Sequence, residues 1–148
     1  MVIAVVLVTA SAEADAPPGR YGWTTNLVLD RRTNLNWQRS ASTTACGGDG
    51  LCTIAEALTY CDGLILEGKS NWRLPTMLEL TSLLDLTRRA PALDPTAFPS
   101  APSDAFWTST HSRNATQTRY VVDFTEGSSA VSHGYTPDTE VHRVRCVY

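Results

Sequence analysis

The chain has no surplus of positive charge: 12 Lys and Arg stand against 15 Asp and Glu, a net charge of −3. Nothing in that balance draws it toward nucleic acid, anionic lipid or a sulfated polymer. The near neighbours Arg31/Arg32, Arg88/Arg89 and Arg143/Arg145 make a patch only if the fold gathers them, and solvated arginines on separate faces are the plainer expectation. Long apolar runs are also missing. The most hydrophobic stretch, Met1 to Ala12, is too short to cross a bilayer, so membrane insertion is not expected. There is no C-x-x-C, and His111, His133 and His142 match no metal motif, so neither a zinc site nor any other cofactor is expected. Without a G-x-S-x-G, Ser109 is not a recognisable nucleophile. No internal repeat is visible. Catalysis therefore has little support, and the expectation is a protein that is not an enzyme.

What is present is ordinary globular composition. With 148 residues, 43% hydrophobic and 18% charged, the chain has enough material for one domain with a real core and too little for two. Ala10-Ser11-Ala12 follows the apolar run with small residues at cleavage spacing, and Ala14-Asp15-Ala16 offers a second option. Residues 1–16 thus read as a partial signal peptide and 17–148 as a single domain. No Lys or Arg precedes the run, so either the true start lies upstream or the signal is weak; a buried N-terminal strand is the other reading.

Four cysteines suit an exported chain and allow three pairings. Cys46 and Cys52 flank the glycine-rich turn Gly47-Gly48-Asp49-Gly50, which can close a small ring. That leaves Cys61–Cys146, a staple between the first helix and the last strand, which closes a long loop and stabilises by about 4 to 5 kcal/mol in the chain-entropy model.

Two capping boxes mark helix starts: Thr53 to Glu56 and Thr76 to Glu79. The first helix ends at Gly63 and should turn Ile54, Ala57, Leu58 and Cys61 inward; the second should run from Met77 to Leu86 with Leu80, Leu83 and Leu84 inward. Residues 26–30 and 35–38 read as a hairpin, with Leu27 and Leu29 on one face and Leu35 and Trp37 sharing another. Pro91, Pro95, Pro99 and Pro102 make 89–104 an irregular connector. Phe106–Thr110, Tyr120–Phe124, Ser129–Ser132 and Val141–Val147 read as four more strands. Two short helices and about six strands predict an α+β domain, the helices packed on antiparallel strands.

Several anchors then stand in order: Leu29-Asp30, Thr33, Leu35 and Trp37-Gln38; Ala55, Ala57-Leu58 and Tyr60-Cys61; Asn71-Trp72-Arg73-Leu74-Pro75-Thr76 with Glu79-Leu80; Phe106-Trp107-Thr108-Ser109-Thr110; Val121-Val122-Asp123-Phe124 with Gly127; and Val144-Arg145-Cys146-Val147. This series resembles the Lcl C-terminal domain family, the adhesin tip of a bacterial collagen-like surface protein, across roughly residues 21–148. The resemblance implies a C-type-lectin-like mixed fold, a secreted, periplasmic or cell-surface location, and adhesion through a trimer to glycosaminoglycans. The acidic balance argues against sulfated polymers here, and these residues contain no collagen-like repeat to form a trimerising stalk. The calcium motifs of true C-type lectins are also absent, so calcium chelation of sugars is not implied.

Structural roles are expected for Trp37 in the core, Trp72 packed beneath the second helix, Arg73 forking onto buried carbonyls, Glu79 as the capping carboxylate, and Arg145 with an internal partner such as Asp123. Sugar recognition needs a flat aromatic face for C–H groups and planar polar groups for hydroxyls. The loop-rich C-terminal half supplies both, in Trp107, Ser109, His111, Arg113, Asn114, Tyr120, His133, Tyr135 and Arg143. The sequence thus points to an exported recognition domain whose C-terminal-half loops bind a glycan or cell-surface protein, or, alternatively, to a structural or accessory subunit of a bacterial envelope assembly.

Overall fold

A computed structural model describes residues 17–113, 116–125 and 135–148. The expected signal segment and the expected strand at Ser129–Ser132 lie outside these residues.

The first sheet is a three-stranded antiparallel meander of β1 (Tyr21–Trp23), β2 (Leu27–Asp30) and β3 (Leu35–Gln38), in that spatial order. The hairpin is as expected, with Val28 opposite Trp37 and Asp30 opposite Leu35. Its turn closes through Asn34 at φ 59°, a left-handed position that Asn tolerates. Leu27 and Leu29 share one face, as alternation requires, and Val28 and Asp30 share the other. Val28 and Asp30, not Leu29, are the fully buried pair, while Leu27 is buried on the other side. A carboxylate can sit there because Arg20 forks onto it at 2.7 and 3.2 Å. Burial alone would raise the Asp30 pKa, but those bonds and the Arg32 amide outweigh it and hold it below the ordinary value.

The second sheet has the order β4-β8-β5-β6-β7, built from β4 (Leu51–Cys52), β5 (Ala105–His111), β6 (Thr118–Asp123), β7 (Tyr135–Pro137) and β8 (His142–Arg143). All neighbours are antiparallel except β5 and β8, which run parallel. This sheet is covered on both faces. Phe106 and Val122 enter one core with Val28, Trp37, Leu80 and Phe98; Trp107 and Val121 enter a second with Ile54, Cys61, Trp72 and Leu74. A sheet packed on both sides reads as a continuous apolar run, which is why Phe106-Trp107 and Val121-Val122 carry no alternation.

Helix α1 (Ile54–Asp62) begins at the Thr53–Glu56 capping box and is stopped by Gly63. Ile54, Ala57 and Cys61 are buried as expected, but Leu58 is 40% exposed. At 100° per residue Leu58 points roughly 70° off the middle of that stripe. Helix α2 (Met77–Thr81) has its expected capping box but is shorter than expected, ending at Thr81 rather than near Leu86. Past that point the bonds tighten to Leu83 N–H→Leu80 O and Leu84 N–H→Thr81 O. Ser82 Oγ donates to Glu79 O and Arg20 Nη2 to Ser82 O, each at 2.7 Å, so side chains hold the carbonyls where another turn would form. Leu80 and Leu83 point inward and Leu84 is partly buried.

The connector over 89–104 is irregular as expected, yet it is not peripheral: Ala92, Leu93, Ala97 and Phe98 are buried, and Ala92 N–H donates to Phe124 O. The C-terminal segment forms a ladder only at β8. Beyond it, Val147 pairs with both Trp37 and Arg73, and Asn36 and Tyr148 exchange backbone bonds. This suture joins the two cores, and Cys61–Cys146 locks it to α1. Cys46–Cys52 closes the glycine turn, so both bridges are those the sequence suggested.

Candidate functional site

Strands β5 and β6 end in a hairpin whose last pair is His111 opposite Arg119, closed by Ser112 N–H→Thr118 O at 3.0 Å. The turn between β7 and β8 lies beside its tip: Asp138 N–H donates to Gln117 O at 2.9 Å. Arg119 ties the two together, its Nη1 on Ser109 O at 2.9 Å and its Nε 3.8 Å from Asp138 Oδ1. That last contact is an ion pair too long for a hydrogen bond, and neither atom has a hydrogen-bond partner among the described residues. The result is a rim on which His111, Arg113, Gln117, Pro137, Thr139 and Val141 are exposed.

Of the sequence-selected residues, Ser109, His111, Arg113 and Tyr120 come together on this hairpin, and the Tyr135 backbone pairs with Tyr120. Ser109 is the most constrained, giving both its N–H and its hydroxyl to Pro75 O. Asn114 and His133 lie outside the described residues. Arg143 is elsewhere: it pairs with Phe106, five residues back along β5 from His111, or roughly 16 Å. There it holds Asp104 Oδ2 at 3.1 Å and the Asp49 carbonyl, pinning the Cys46–Cys52 ring.

Trp107 is not a ligand platform. It is fully buried, its indole N–H donates to Cys52 O at 2.6 Å, and His142 caps it edge-on at 4.8 Å. The second core claims its face, and no sequence periodicity shows this.

Electrostatically the surroundings of the rim are self-paired. Thr136 Oγ1 donates to Glu140 Oε2 at 2.6 Å, and His142 Nε2 lies 3.4 Å from the same hydroxyl. Burial pushes the His142 pKa below its ordinary value, against the opposing charges of Glu140, Asp104 and Asp123. The sequence reading passed over Arg119, Asp138, Thr136 and Glu140. Their pairing depends on register between distant strands, for which the sequence carries no local signal.

The structural residues mostly fall as expected. Trp37 is buried, and Trp72 is buried with its N–H on Lys69 O at 2.9 Å, but it lies in the second core with Ile54 and Cys61 rather than beneath the second helix, whose Leu80 enters the first. Two partners differ. Arg73 forks onto the Glu79 carboxylate rather than onto buried carbonyls alone. Arg145, fully buried, donates Nη1 to the Gln38 and Arg39 carbonyls and lies 4.7 Å over the Phe98 ring. Asp123 is not its partner; its Oδ1 accepts from Thr125 N–H. Residue 123 faces the second core with Val121, whereas Arg145 sits in the first.

The Lcl C-terminal domain family model matches residues 26–148, from the β1–β2 turn to the last residue. The chain belongs to this family. The match takes in every motif of this Lcl C-terminal domain named above, from the hairpin to Arg145-Cys146. No curated protein matches it. Membership points to a bacterial surface-associated domain, and two disulfides fit an oxidising compartment. Among the described residues no helix is long and apolar enough to cross a membrane, and no group of three His, Cys, Asp or Glu could hold a metal ion.

Proposed function

We propose that this Lcl C-terminal domain is an exported, non-enzymatic recognition module of a bacterial surface or envelope, related to C-type-lectin-like folds, that binds a glycan or surface ligand through the rim of the β5–β6 hairpin and the β7–β8 turn. The observation that carries this reading is the rim itself: exposed polar groups and Val141 on two adjacent turns, fixed by the Asp138–Gln117 bond to a sheet buried on both faces. Loops held on a rigid scaffold are where binding residues concentrate. The non-enzymatic reading is supported by the way the neighbouring titratable groups are occupied: Glu140 by Thr136, His142 against Trp107, Arg119 by Ser109 O.

The test is a glycan array that includes sulfated polymers, probed with the purified protein as monomer and as forced trimer, with calcium and with chelator. A hit insensitive to chelator and lost in His111→Ala/Arg113→Ala is the expected result. Silence in every format, with an envelope protein co-purifying, replaces this reading by the accessory-subunit one.

A further inference from the structure

Away from the rim, a cleft of about 500 Å³ opens along β1, the free edge of the first sheet, lined among others by Pro18, Tyr21, Trp23, Arg88, Asp94 and Thr96. Trp23 is 49% exposed, unusual for an indole in a protein whose other three tryptophans are buried. One face of its ring is braced by the Arg39 guanidinium at 5.9 Å from the centroid. Arg39 is itself held by three carbonyls: Thr24 at 3.0 Å, Thr96 at 3.2 Å and Ala97 at 3.2 Å. One side chain therefore ties the two walls of the cleft together and fixes the indole, so a ligand need not order it.

The charges at the cleft are not equally occupied. Arg20 is spent on Asp30 and Ser82 O, and Arg88 is bonded to Asp85. On Asp94, Oδ1 accepts the Thr96 and Ala97 amides at 2.8 and 2.9 Å, while Oδ2 has no protein donor among the described residues. What remains is a carboxylate acceptor lining the same cleft as a fixed aromatic face. That combination takes hydroxyl donors and C–H groups and disfavours anions.

We infer that this cleft is a second binding site, for an uncharged pyranose, with the ring's C–H face on Trp23 and hydroxyls donating to Asp94 Oδ2. A sulfate or uronate on that ring would bring an anion against Asp94. The inference does not depend on the rim, and its variants leave the rim intact.

Its test is calorimetric titration of the intact protein, in chelator, with methyl glycosides of glucose, mannose and galactose, with N-acetylglucosamine, and with heparin as the anionic probe. At least one neutral ring should give a saturable change, weakened about tenfold or more in Trp23→Ala and in Asp94→Asn, and unchanged in Arg113→Ala. Asp94→Asn is the sharper variant, because Asn keeps the turn acceptor at Oδ1 and puts a donor where Oδ2 was. Trp23→Phe, with an unchanged melting temperature, should retain partial binding. Silence with every neutral ring, equal binding by Trp23→Ala, or heparin displacing the neutral sugar overturns the assignment. Loss of rim binding in the array, with this titration intact, removes the rim and leaves the cleft.

Discussion

Arg73 and Glu79 meet in a two-bond fork, Nη1 to Oε2 at 2.9 Å and Nη2 to Oε1 at 2.7 Å. Oε2 also accepts the Thr76 amide at 2.7 Å, so one carboxylate caps α2 and anchors the strand-like segment that pairs with Val147. Arg73 is the largest influence on Glu79; burial opposes it and Thr76 assists, and the pKa is pulled down to about 2.

That shift predicts a pH dependence. The folded pKa lies below the unfolded one, so the contribution is complete above the unfolded value near 4.5 and is lost as pH falls toward about 2. The Arg73 side chain is 49% exposed, so solvent screening discounts the ion pair and the expected worth of Glu79 at pH 7 is about 1 to 2 kcal/mol, much of it capping. Urea unfolding at pH 7 and pH 3 should show Glu79→Gln less stable than wild type at pH 7, with the gap clearly narrowed but not closed at pH 3. An equal gap at both values contradicts the pairing.

The two disulfides should differ in weight. Sequence separations of 6 and 85 give roughly 2 kcal/mol for Cys46–Cys52 and roughly 4.5 kcal/mol for Cys61–Cys146 in the chain-entropy model. Chemical denaturation of Cys46→Ser/Cys52→Ser and Cys61→Ser/Cys146→Ser should rank them in that order. The reverse ranking would show that the suture does not depend on its staple.

Arg145 should be intolerant of truncation. Arg145→Ala removes the donor to two buried carbonyls and leaves a cavity against Phe98 and Phe106, for an expected loss of about 3 to 5 kcal/mol. Arg145→Lys restores a charge but not the planar stack, and should recover only part of that stability. A thermal melt of Arg145→Ala matching wild type would refute this.

Trp107→Phe should destabilise by about 1 to 3 kcal/mol, through the buried Cys52 carbonyl left without its donor, and leave ligand affinity unchanged in the folded fraction. Calorimetric melting and a binding titration on the same preparation separate the two effects. Weaker binding at full folding would return Trp107 to the ligand surface.

Local chemistry was legible in the sequence. Both capping boxes, the 26–38 hairpin, the glycine ring and the proline-rich connector are encoded within a few residues of where they act. Which face turns inward was not. Val28 and Asp30 point inward because Arg20, ten residues from Asp30, neutralises the carboxylate, and Trp107 is buried because a second core covers that side of β5. His111 and Arg113, exposed on the rim, are candidates by residue type alone, whereas Arg119 and Asp138 are joined only by strand register. Trp23 and Asp94 line one cleft but stand far apart in the sequence, with no contiguous motif.

Calorimetric titration of the intact protein with a free oligosaccharide taken from the array, in chelator, tests the central claim most directly. The account predicts a saturable, chelator-insensitive isotherm for wild type, weakened about tenfold or more in His111→Ala/Arg113→Ala with unchanged melting. No binding heat, or an isotherm indifferent to that double substitution, would contradict recognition at the rim.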